Sequence, residues 1–132
     1  MVKYEKKDFY EIKADPEKNR LYLSILGHWT SPEEVPDYVE HFKKAVDILK
    51  PGLTSYTLIE DAKPPKLSVQ GLHKANQKYV NAKGITKTGV VLAGKGIGKI
   101  LQKVTLAVVG KLSGLDQKIF ETEEEAIVWL DE

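Results

Sequence analysis

The chain has 132 residues, the size of a single domain. Hydrophobic residues make up 42% and charged residues 30%, the balance of a folded globular chain rather than a disordered one. It contains no cysteine, which excludes a disulfide scaffold, a thiolate metal site and a cysteine nucleophile. No apolar run is long enough to span a bilayer. Met1 to Ile12 is charged and lacks an apolar core segment, so no secretory signal is expected and the expected address is the cytoplasm.

The formal net charge is +1, but the charges are sorted along the chain. Residues 1–61 sum to −3, residues 62–115 carry 10 lysines and no carboxylate, and residues 116–132 sum to −6. Clustered lysines raise the local potential and attract anionic partners. Two readings stand at this point: one exposed basic face, or acidic ends folded back to neutralise it.

In chain order, Phe9–Ala14 and Arg20–Gly27 read as two strands, the second with Leu21, Leu23 and Ile25 alternating along it. Asp15-Pro16-Glu17-Lys18-Asn19 between them is turn chemistry, so the pair predicts a hairpin. Ser31-Pro32-Glu33-Glu34 announces a helix with a capping box. Val35, Val39, Phe42, Val46 and Leu49 follow at helical spacing, and Pro36 pushes the start towards Asp37 or distorts the first turn. Tyr56–Glu60 reads as a third strand, and Pro64-Pro65 marks a loop.

Leu67–Ala82 predicts a second helix with Leu72, Ala75, Tyr79 and Val80 turned inward and Ser68 as its cap. Thr88–Ala93 is a nearly all-apolar fourth strand, expected at the centre of the sheet. Gly94 to Gly98 is a turn. Ile97 to Leu112 fits a third helix, although Val104–Val109 is also β-like. Gln117–Glu121 is a fifth strand. Thr122-Glu123-Glu124-Glu125 is a second capping box that opens a short last helix burying Ala126, Trp129 and Leu130.

The order ββαβαβαβα predicts a single α/β domain over residues 1–132, with a five-stranded mixed, mostly parallel sheet packed by four helices. The closing stretch from Phe120 through the threonine-capped acidic turn to Trp129-Leu130, with Gly89-Val90-Val91 upstream, resembles the SpoIIAA-like family of the STAS superfamily. That resemblance implies a non-enzymatic regulatory domain that binds a partner protein. In the family, the helix after the third strand opens on Asp-Ser-Ser-Gly-Leu with a phosphorylated serine. Here the stretch is Ser68-Val69-Gln70-Gly71-Leu72: Gly71 and Leu72 match, and Gln70 stands at the acceptor position. The resemblance therefore does not carry the phosphorylation switch over to this chain.

Chemistry-bearing motifs are sparse. His28, His41 and His73 show no metal-ligand spacing, and no base–nucleophile pair is readable, so no catalytic residue, metal or cofactor is expected. Gly94-Lys95-Gly96-Ile97-Gly98-Lys99 lacks the P-loop ending and the dinucleotide fingerprint. Glu60 and Asp61 are adjacent and point apart on a strand, so they do not share a proton. Tyr79 alone offers a base-stacking aromatic in the basic stretch, so nucleic acid is not the expected partner. The apolar stripe over 97–112 has the sheet to cover, so membrane-surface contact is not expected either.

The function expected from the residues and the resemblance is a non-catalytic interaction domain binding an acidic protein partner. Lys63, Lys66, Ser68, Lys74, Lys78, Lys95 and Lys99 are the candidate contacts. The alternative is a carrier or sensor of a small apolar or anionic, lipid-like ligand in a Sec14-like pocket, which requires a cavity between a helix and the sheet. Homodimerisation, with the acidic tail of one copy against the basic face of another, is the third partner expectation.

Overall fold

The computed structural model describes residues 1–61, 65–93 and 116–132. Its elements are β1 (Val2–Lys6), β2 (Tyr10–Asp15), β3 (Arg20–Ile25), a 3-10 turn (Pro32–Glu34), α1 (Tyr38–Ile48), β4 (Thr54–Ile59), α2 (Leu67–Ala82), β5 (Lys87–Leu92), β6 (Gln117–Phe120) and α3 (Glu123–Leu130). The strands form one mixed sheet in the order β1-β2-β3-β4-β5-β6. β1, β2 and β3 pair antiparallel, and β3 to β6 pair parallel. The expected α/β class is the one observed. The helix expected at 97–112 lies outside the described residues.

Local chemistry accounts for the element ends. In the β2–β3 turn the Asp15 carboxylate accepts from the Glu17 and Lys18 N–H groups at 3.1 and 3.4 Å, and Asn19 takes φ 52°. Asn19 also exchanges two side-chain hydrogen bonds with the Lys50 backbone, which ties this turn to the end of α1. Glu34 accepts from the Ser31 N–H at 3.1 Å, but the turn it closes is 3-10 and α1 starts only after Asp37. Pro36 is the reason, since its missing N–H and fixed ring block a continuous helix.

Three expectations are corrected. A sixth strand exists, β1, which pairs Tyr4 with Ile12. Val2-Lys3-Tyr4-Glu5 alternates, but Lys6 ends the pattern after four residues, and the charged side chains blunt an edge that would otherwise template another chain. Ser68 does not cap α2: Lys66 holds the cap position, and Ser68 sits exposed inside the first turn. The inward face of α2 is rotated from the expected one. Val69, Asn76 and Val80 are buried, Leu72, His73 and Tyr79 are partly covered, and Ala75 is exposed.

Register decides which side chains share a face. Leu21, Ser55, Thr88 and Gln117 form one cross-strand row, and Leu23, Thr57 and Val90 form the next. This face meets α1 and α2 in the main core, built from Tyr10, Ile12, Leu21, Trp29, Tyr38, Phe42, Val46, Leu53, Val69 and Val80. The alternate residues Tyr56 and Val91 face the other way and pack under Ala126 and Leu130 of α3. Arg20, buried at the start of β3, donates to Thr54 Oγ1 at 3.0 Å and to the Asp131 carboxylate at 2.7 Å, joining β4 and the end of α3.

Candidate functional site: a cavity between α2 and the parallel strands

A cavity of about 380 Å³ lies between α2 and the parallel strands. Its floor is the row Ser55, Thr88 and Gln117 and the next row, Leu23, Thr57 and Val90. Its roof is Val69, His73, Asn76 and Val80 of α2, the residues at offsets of 4, 7 and 11 that one helix face presents together. Gly27, His28, Trp29 and Asp61, beyond the carboxyl ends of β3 and β4, line one end of it. Open α/β sheets place ligands at this edge.

Trp29 walls the cavity on a fixed mount. Its indole N–H donates to the carbonyls of Phe9 and Leu26, both at 3.0 Å. Its ring stacks on His73 at 5.4 Å between centroids and meets Tyr38 edge-on at 4.7 Å. Tyr38 and His73 share a hydrogen bond of 3.1 Å at His73 Nδ1. Burial pushes the His73 imidazole down to about 4, so at neutral pH it is uncharged. Burial also raises the Tyr38 hydroxyl, which keeps its proton.

Asn76 is 3% exposed, and neither its amide nitrogen nor its oxygen meets a hydrogen-bond partner among the described residues. Its amide lies beside the Tyr38 hydroxyl and acts on it, yet outside hydrogen-bond geometry. Buried polar side chains are nearly always satisfied, so an orphaned amide lining a cavity points to a missing partner. Gln70, also at the wall, is occupied: its amide donates to the Pro65 carbonyl at 2.8 Å.

Of the residues expected to bind a partner, Lys66, Ser68, Lys74 and Lys78 are exposed on α2. Lys74 and Lys78 stand one turn apart, and Lys74 also borders the cavity. Lys63, Lys95 and Lys99 lie outside the described residues. Among the described residues no group of three His, Asp or Glu is placed to hold a metal, and no helix is long and apolar enough to cross a membrane. The sequence reading missed Trp29, His73 and Asn76. The signal is present in the stripe Val69, Leu72, His73, Asn76 and Val80, which fits helical spacing as well as the stripe Leu72, Ala75, Tyr79 and Val80 does.

No protein-family model, curated protein or solved structure matches the chain.

Proposed function

We propose that this protein binds a small, mostly apolar molecule in the cavity between α2 and the sheet, and acts as its carrier or sensor. The observation that carries the reading is the cavity itself: about 380 Å³, with a mostly apolar surface from aliphatic and aromatic side chains into which Ser55, Thr57, Thr88, Gln117, His73 and Asn76 set polar groups. That is the size and lining of small-molecule sites.

The test is a two-dimensional NMR titration with propylbenzene. Shifts confined to the Trp29 indole and the backbone of Val69 to Val80 are expected, and Leu23→Trp, which fills the cavity, is expected to abolish them. Shifts scattered over the surface would overturn the reading. So would an experimental structure in which residues 94–115 occupy the volume.

A second reading rests on the arrangement of charge. Lys66, Lys74 and Lys78 are exposed on α2, while Glu123, Glu124 and Glu125 belong to α3 on the opposite face of the sheet. The acidic tail therefore leaves these lysines uncovered, which supports docking of an acidic protein partner, as in the STAS-type interaction domain that the sequence resembles. Lysine contacts of this kind weaken with salt, so charge reversal of Lys74 and Lys78 together should abolish capture of such a partner. Undiminished capture by that double variant excludes the reading.

A further inference from the structure

The polar groups inside the cavity restrict what a ligand can be. Asn76 presents a donor and an acceptor side by side, both buried and neither in hydrogen-bond geometry with a described residue, although the amide also acts on the neighbouring Tyr38 hydroxyl. Tyr38 and His73 beside it are already bonded to each other. The floor adds hydroxyl and amide groups from Ser55, Thr57, Thr88 and Gln117, and no charge. Lys74 is the one ammonium at the wall among the described residues, and it is exposed on α2 rather than buried inside.

A carboxylate entering this site would meet no buried cation and would set its oxygens against the Asn76 carbonyl. A hydrocarbon would leave both amide atoms unpaired. A hydroxyl reaches both atoms only through a single oxygen, with both hydrogen bonds bent. A carboxamide or lactam edge satisfies both, because it carries an acceptor next to a donor in the complementary order.

We propose that the cavity selects neutral ligands that pair an apolar or aromatic body with a carboxamide-type edge, and that Asn76 is the residue that reads that edge. This rests on the cavity reading above and narrows it to a ligand class. Sites built to hydrogen-bond a polar group discriminate against analogues lacking it far more sharply than apolar pockets discriminate by size.

The experiment compares three probes of matched size by calorimetry and NMR: 3-phenylpropanamide, 3-phenylpropanoate and propylbenzene. The amide is expected to bind at least about tenfold more tightly than the other two, the ratio that one or two buried hydrogen bonds supply. Its binding should also move the Asn76 side-chain NH₂ resonances. Asn76→Leu should remove the preference while propylbenzene still binds. Should that variant fail to fold, Asn76→Ser and the wild-type NH₂ resonances provide the same readout. If the three probes bind equally well, or the carboxylate binds best, the amide proposal is overturned and the cavity reading stands. If none of them binds, both fall.

Discussion

His73 shows how one buried side chain sets a pH dependence for the whole fold. Its ring is held neutral in the native state, with burial pushing its pKa to about 4. In the unfolded chain the imidazole returns to about 6.5 and takes up a proton sooner. Between these values the unfolded state binds more protons, so stability is complete above pH 6.5 and falls as the pH drops towards 4. At about 1.4 kcal/mol per pH unit the loss reaches at most about 3 kcal/mol, an upper value because the ring still borders the cavity. Urea unfolding at pH 7, 5.5 and 4.5 should show this slope in the wild type and a flatter one in His73→Gln. Parallel slopes would mean that other groups carry the acid sensitivity. His73 was legible as a helical residue but not as a buried one, because burial depends on what faces it. Trp29 and Tyr38 are 44 and 35 positions away in the chain.

Elements were more legible than single residues where local chemistry acts alone. The span of α2 follows from its propensity and punctuation, and the β2–β3 turn from Asp15 and Asn19. The last helix opens on Thr122, whose hydroxyl accepts from the Glu125 N–H at 3.3 Å, as its capping sequence predicts. The phase of α2 was not legible, because two stripes share Leu72 and Val80 and only the sheet selects between them. The seating of α3 likewise depends on a strand residue. A Cβ at Gly89 would lie 3.4 Å from Ala126 Cβ and 3.5 Å from Leu130 Cδ1, ordinary contact distances. Gly89→Ala should therefore be tolerated within about 1 kcal/mol, whereas Gly89→Leu should lift α3 and cost about 1–3 kcal/mol by overpacking. Urea midpoints of the two variants decide this; equal midpoints would show that α3 is not seated against β5.

Across the whole molecule the sheet separates two chemistries. One face carries α1, α2, the main core and the cavity, and the other carries α3 with its glutamates. Lys74 and Lys78 make no ion pair among the described residues, so reversing both charges should shift stability by no more than about 0.5 kcal/mol. A thermal melt of the double variant checks this, and a large loss would mean that the lysines serve the fold and not a partner. The α/β class, the β2–β3 hairpin, the span of α2 and the sorting of charge along the chain are all readable from the residues alone. Each of these depends on residues close together in the chain, where spacing, caps and turn chemistry act directly. That β1 joins the sheet, that α2 with its lysines and α3 with its glutamates lie on opposite faces, and that Asn76 is buried against a cavity emerge only once the chain is packed. Those outcomes depend on strand register and on which helix face meets the sheet, and both are settled by packing between segments far apart in sequence.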